Sequence, residues 1–296
     1  MPSALSSPAS NTPRDHMARA ILFMLASAAG FTLMGIAVRS AGELPLIQKV
    51  FMRNLVTVII ASVWVLRDHY HPLLSWQPHS WRLIVRSLSG LSGVACYFYA
   101  LEHVTLADAS MLNKLSPFFV FLFARWFLKE QLSRPLVVAL LVAFSGALLV
   151  IKPRFDMSMM PALIGASSAI FAAIAYTLVR SLRGLEPPHR IVFWFSAIST
   201  IITLPLALKS WVSPADSQWI TLVLIGIGAS FGQFCLTYAY QLAPAAKISV
   251  VNYSSIVMAL LAGWLLWGEW PDMWSMLGGG LIIIAALLTR IRRTSA

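Results

Sequence analysis

Ten apolar runs of membrane-spanning length follow one another along this 296-residue chain, and that succession limits the fold more than any other feature. They lie at about 18–38, 45–66, 82–101, 106–128, 135–151, 159–180, 190–208, 217–241, 246–267 and 273–290. A helix needs roughly 20 such residues to cross about 30 Å of hydrocarbon, and each run supplies close to that, the fifth only just. The runs are continuous rather than alternating, which favours helices over a β-barrel. The connections are short and carry turn residues, as at Glu43-Leu44-Pro45, Lys152-Pro153-Arg154 and Glu186-Pro187-Pro188. None could house a soluble domain. Composition agrees: 58% of residues are hydrophobic and 11% charged, against about 25% charged in soluble domains. So few charges could not coat so large an apolar core in water. The pattern argues against a soluble enzyme, a disordered chain and a disulfide scaffold.

The net charge is +11. In a soluble protein that excess would suggest nucleic acid. Here the basic residues fall in short clusters between apolar runs, as expected where Lys and Arg hold loops in the cytoplasm. With the N-terminus inside, fifteen Lys and Arg fall on the inner side, among them Arg82, Arg86, Arg180 and Arg183. Five fall outside (Arg39, Lys49, Lys152, Arg154 and Lys209), and Arg53 and Lys114 lie within spans. The bias places both termini in the cytoplasm of an inner (plasma) membrane protein. The first run follows Arg14 and Arg19 and extends past Gly30 to Val38, so it reads as an uncleaved helix rather than a signal peptide. Cys96 and Cys235 both sit inside apolar runs and read as small buried residues, too far apart for a zinc motif.

Shifted by 139 residues, part of the chain matches itself without a gap. The identities include Gly93/Gly232, Cys96/Cys235, Tyr99/Tyr238, Ser110/Ser249, Asn113/Asn252 and Glu130/Glu269. A five-helix unit is odd, so its second copy enters the membrane from the opposite side. Such inverted repeats are common in secondary transporters, whose substrate site lies near the midplane between the halves. Gly93, Cys96, Tyr99 and Ala100 share one side of the third helix. Small residues on such faces either pack helices or line a cavity, and both readings stay open for Gly, Ala and Ser. Asn113 and Asn252 point to the cavity.

Four segments carry a further likeness: Phe51-Met52-Arg53, Ala107-Asp108-Ala109-Ser110, Phe127-Leu128-Lys129-Glu130 and Leu266-Trp267-Gly268-Glu269. With the repeat, they make the chain resemble the drug/metabolite transporter superfamily, specifically its EamA-type members, over all but the first 15 or so residues. The resemblance implies export or uptake of small metabolites through a cavity between helices 1, 3, 4, 6, 8 and 9. Substrates in that family include amino acids, S-adenosylmethionine, nucleobase-like compounds, sugars and amino-acid-derived metallophores, and the resemblance does not choose among them. It also implies a basic residue at Arg53, read here as structural: an interfacial anchor or an ion pair with Glu102 or Asp108.

Lys114 is the most informative single residue. It lies about two turns into the fourth run, where a cation costs a few kcal/mol unless it faces water or a partner. It reads as an anchor for a substrate carboxylate or phosphate, with a snorkelling lysine as the alternative. Its repeat partner is Tyr253, so the site would be asymmetric. Phe31, Tyr97, Tyr99, Tyr176, Gln233, Tyr238 and Tyr253 are further substrate-site candidates, since tyrosine offers an apolar face and one hydrogen bond. Glu102, His103 and Asp108 read as a solvated turn with Asp108 as an N-cap. Glu130 and Glu269 read as structural, each favouring the N-terminus of the helix that follows. There is no Walker loop, HExxH, nucleophile elbow or paired intramembrane carboxylate.

The expected fold is thus an all-α polytopic membrane protein of ten transmembrane helices in two inverted five-helix repeats. The repeats occupy 18–152 and 159–290, between cytoplasmic tails at 1–17 and 291–296. The expected function is secondary transport without a cofactor or metal. It would export a small polar or zwitterionic metabolite, such as an amino acid or an amino-acid-derived compound, by alternating access. The partners are a small-molecule substrate and the lipid bilayer but no nucleic acid, with a homodimer left open. An uptake carrier of the same fold and a non-transporting membrane enzyme or assembly subunit are the alternatives.

Overall fold

The computed structural model describes residues 16–67, 77–103, 106–130, 134–151, 159–268 and 273–288. Among them are helices and turns and no strand. The helices are α1 (Met17–Ser40), α2 (Leu46–Leu66), α3 (Ser80–His103), α4 (Leu106–Asn113), α5 (Ser116–Phe127), α6 (Arg134–Ile151), α7 (Met159–Ser181), α8 (Pro188–Lys209), α9 (Asp216–Leu242), α10 (Ala245–Ser249), α11 (Ser254–Trp267) and α12 (Met273–Leu288). A 3₁₀ turn, Val250–Tyr253, joins α10 to α11.

Seven segments among the described residues are long and apolar enough to cross a bilayer. They are α1, α2, α3, α8, α9, Leu163–Ser181 of α7, and Ala245–Trp267, which runs through α10 and α11. The remaining apolar helices, α4 with α5, α6 and α12, fall in the fourth, fifth and tenth runs of the sequence. Large apolar side chains such as Leu22, Leu66, Ile201 and Leu265 stay exposed on the outside of the bundle. In lipid this is the favourable arrangement, because each helix satisfies its own backbone. The protein is a multi-pass helical membrane protein.

The fourth and ninth runs differ from the expectation of unbroken helices. Helix α4 stops at Asn113 and α5 begins at Ser116. Pro117 has no N–H and its ring would strike the carbonyl of Asn113 in a continuous helix. The local bonds accordingly shorten to three-residue spacing, Leu115 N–H to Leu112 O at 3.2 Å and Phe118 N–H to Leu115 O at 3.0 Å. In the second half the 3₁₀ turn contains Asn252, the residue matched to Asn113 by the 139-residue offset. No proline lies in that turn.

Helix α1 packs along α9, α3 along α7, α2 along α8, and α6 along α12. The first of these pairs is very close. A Cβ on Gly30 would fall 2.7 Å from the backbone nitrogen of Gly232, and one on Gly228 would fall 2.9 Å from the carbonyl of Gly30. Gly93 has the matching place between α3 and α7, where a Cβ would meet Ala172 N and Ser168 O at 3.4 Å. Glycine lets transmembrane backbones touch, which recovers dispersion energy that lipid tails would otherwise supply.

Carboxylates tie one end of the bundle. Glu130 accepts from the backbone N–H groups of Ala245 and Ala246 at 3.1 and 3.2 Å, and its Oε1 lies 3.3 Å from Arg180 Nε. Glu130 therefore caps α10, a helix far along the chain; among the described residues its acceptors serve α10 and Arg180 rather than the helix that follows it in sequence. The reason is geometric: the chain after α5 turns beside the start of α10, whose free N–H groups need an acceptor. Nearby, Glu186 meets Arg190 at 3.3 Å and His79 at 3.0 Å. Glu269, read as the counterpart of Glu130, lies outside the described residues.

Candidate functional site

A cavity of ≈ 80 Å³ opens among the helices, with room for several water molecules. Its wall is built from α1 (Phe31, Thr32, Met34), α2 (Arg53), α3 (Arg86, Gly90, Gly93, Val94, Tyr97), α4 and the break after it (Ser110, Asn113, Lys114), α7, α8, α9 and α11.

Lys114 sits at the break between α4 and α5 and is 6% exposed. Its Nζ donates to Asn252 Oδ1 at 3.1 Å, so the two interrupted runs meet through this bond. Asn252 is buried in turn, and its Nδ2 has no partner. Asn113 donates to Ser168 Oγ of α7 at 3.0 Å. The Tyr97 hydroxyl lies 3.2 Å from Ser110 Oγ. Gln233 lines the cavity from α9 and donates to Thr237 Oγ1 at 3.3 Å. Tyr176 lines it from α7 and stacks on Tyr240 at 5.1 Å.

Two arginines complete the wall. Arg53 is 1% exposed and donates from Nη1 to Asn54 Oδ1 at 2.7 Å. Arg86 is also 1% exposed, and neither its Nε nor its Nη1 has a hydrogen-bond partner. Both guanidinium carbons stand over one aromatic ring, Phe195 of α8, at 5.1 Å for Arg53 and 3.9 Å for Arg86. Gly90, one turn on from Arg86, makes room for this ring: a Cβ there would fall 2.7 Å from Phe195 Cε2. Cation–π contact offsets part of the cost of burying each charge, about 2 kcal/mol when desolvated, but it cancels none of the charge. Among the described residues no Asp or Glu lines the cavity. Arg53 does not pair with Glu102, whose carboxylate is 2.9 Å from Lys49 instead, and the Asp108 side chain lies outside the described residues.

The structure thus brings Lys114, Asn113, Tyr97, Tyr176, Gln233 and Phe31 to one cavity, with Asn252 behind Lys114. It does not bring Tyr99 or Tyr238 there. Tyr99 stacks on His103 at 4.0 Å, and Tyr238 stacks on Phe23 of α1 at 5.3 Å. Tyr253 is fully buried in the apolar core. On α3 the cavity face runs Arg86, Gly90, Gly93, Tyr97, at steps of four, three and four. The neighbouring face is for packing: Cys96 meets Ser167 of α7 at 3.6 Å, and Ala100 crowds Gly165.

Sequence reasoning missed Arg86 as a cavity residue, because it stood close enough to the start of its run to pass for a loop charge. The structure shows why: α3 starts at Ser80, so Arg86 lies almost two turns deep, as Lys114 does. No metal-binding group of three or more His, Cys, Asp or Glu occurs among the described residues.

Comparison with known proteins accords with this architecture. The model of the EamA-like transporter family matches twice, at residues 18–152 and 159–291. The pseudopaline exporter CntI of Pseudomonas aeruginosa is 35% identical over 283 residues, covering 94% of this chain and 99% of that one. A riboflavin transporter of Rhizobium johnstonii is 31% identical over 210 residues, covering 71% and 70%. A solved crystal structure shares the fold with a TM-score of 0.78 at 19% identity, covering 94% of this chain and 99% of its own. The protein belongs to the EamA-like transporter family.

Proposed function

We propose that this protein is a secondary transporter of the inner membrane that exports a small polar or zwitterionic metabolite, an amino acid or amino-acid-derived compound, by alternating access. The observation that carries this reading is the meeting of two interrupted helical runs, at Lys114 and Asn252, in the wall of a cationic cavity. Interrupted helices free backbone and polar side chains at mid-depth, where a cargo can use them. The similarity to a pseudopaline exporter across nearly the whole of both chains supports export.

Ten spans in two inverted repeats, with both termini cytoplasmic, belong to the same proposal. Two matches of one family model support it. So does the helix packing: under the repeat offset the α1–α9 pair exchanges with the α3–α7 pair, while α2–α8 and α6–α12 each exchange with themselves. A reporter active only in the cytoplasm, fused after Ala296, should be active. Activity of a periplasmic reporter there would overturn the topology. The transport reading is tested in proteoliposomes by counterflow of labelled amino acids and their N-alkylated derivatives. Accumulation above protein-free vesicles is expected, and its absence across the panel would count against this function.

A further inference from the structure

The charges in the cavity are all of one sign, and they are grouped. Arg53 and Arg86 come from α2 and α3 and share the ring of Phe195 on α8. Lys114 comes from the α4–α5 break and faces Asn252 of the second half. Each group is buried, and its hydrogen-bonding partners are neutral or absent. Arg53 has one amide oxygen, Lys114 has one amide oxygen, and Arg86 Nε and Nη1 have none. Under the 139-residue offset the positions matched to Arg53, Arg86 and Lys114 are Val192, Ile225 and Tyr253, so the charge belongs wholly to the first half.

Leaving like charges buried and unmatched costs several kcal/mol, and the ring of Phe195 offsets only part of it for the two arginines. Gly90 nevertheless makes room for both Phe195 and the Arg86 guanidinium, which a Cβ there would strike at 2.7 and 3.1 Å. A guanidinium presents a planar fork of N–H donors that fits a carboxylate or phosphate, and here two stand over one ring. A compact ammonium on a different helix is a separate point of attachment.

We propose that the cavity takes a cargo with at least two separated anionic groups, carboxylate or phosphate, one held by Arg53 and Arg86 over Phe195 and another by Lys114. This rests on the transporter reading above. It narrows the cargo from a polar or zwitterionic metabolite to one whose charge balance is negative. Tyr97, Tyr176 and Phe31 leave aromatic faces for the carbon skeleton, or for an ammonium if the cargo also carries one.

The test is direct binding to purified full-length protein, with two series of probes. One series is the α,ω-dicarboxylates from malonate to suberate, each set against the monocarboxylate of equal length. The other replaces one carboxylate by a phosphonate and so separates carboxylate from phosphate preference. At one chain length the doubly anionic probe should bind roughly tenfold tighter or more than its singly anionic partner. Lys114→Met and Arg86→Gln should each erase that preference, and Arg86→Lys should restore part of it. Equal binding of singly and doubly anionic probes at every length would overturn the proposal. The wild-type comparison needs no variant, so misfolding of Arg86→Gln does not blunt it. Counterflow separates the two readings. Flux of neutral amino acids without a dianion preference would sink this inference and keep the transporter. Dianion binding with no flux of any probe would do the reverse.

Discussion

At one end of the bundle Arg180 and Arg190 each meet a carboxylate, Glu130 and Glu186, at 3.3 Å. In the cavity Arg53, Arg86 and Lys114 are as deeply buried, yet their hydrogen-bond acceptors are amides or none. The same residue types therefore serve opposite ends. A buried cation with its carboxylate and capped N–H groups contributes to holding the fold. A buried cation without one is a cost that, on the reading proposed above, the fold carries for its cargo. The comparison predicts which substitutions harm stability and which harm binding.

The largest effect should come from Glu130→Ala. It removes the cap of α10 and leaves Arg180 without this carboxylate, so a loss of about 3 kcal/mol is expected, read as a drop in melting temperature in detergent. A variant that melts normally but binds cargo poorly would blur the distinction. Next comes Lys114→Met, with a loss of affinity of about 1.5–3 kcal/mol for an anionic or zwitterionic cargo. Melting should be unchanged or improved, because an unmatched buried charge is removed. Lys114→Arg should rescue only in part, since a planar fork replaces a compact ammonium. Unchanged affinity in the Met variant would make Lys114 a structural residue.

A smaller effect is expected for Asn252→Ala and Asn113→Ala. Asn113→Ala loses one neutral hydrogen bond of about 1 kcal/mol, and Asn252→Ala loses an amide acceptor of the Lys114 ammonium, about 1.5 kcal/mol, so transport should fall while the protein remains folded by size-exclusion chromatography. Extensive unfolding with normal transport by the surviving fraction would move both to the packing class. The smallest is Tyr99→Phe. Its ring stacks on His103 away from the cavity, so transport should change by less than about threefold, within the roughly 0.5 kcal/mol typical of sites without such roles. A larger change would return this face of α3 to the binding site.

The helix ends were legible because apolar runs and turn residues punctuate the chain at nearly the same places where the helices start and stop. The two breaks were not read, for different reasons. Pro117 was a local signal, since its ring forbids the preceding helical bond. The Val250–Tyr253 turn has no such signal, and only the match of Asn252 to Asn113 pointed to it. Lys114 was legible because a lone cation in a long apolar run must have a reason. Arg86 was not, because it fell in a cluster with Arg82 near the start of its run and was counted with the inner loop charges, whereas α3 begins earlier, at Ser80. Glu130 showed its type of role but not its partner: a cap acceptor can be inferred from residue type, but the helix it serves is set by long-range packing.

The contact between Gly30 and Gly232 has a mechanical consequence. Here two backbones come into contact while Phe31 packs on Gly232 and Phe231 on Gly30 from either side, so the seam is both close and interlocked. Helices α1 and α9 are thus coupled as one lever, and α3 with α7 form a looser counterpart through Gly93. Each lever takes one helix from residues 18–152 and one from 159–290. The two halves of the sequence cannot part like the shells of a clam without tearing these seams. Under the proposed alternating access, the motion that spares these seams turns one mixed pair against the other, so the moving parts would cut across the boundary between the two family matches.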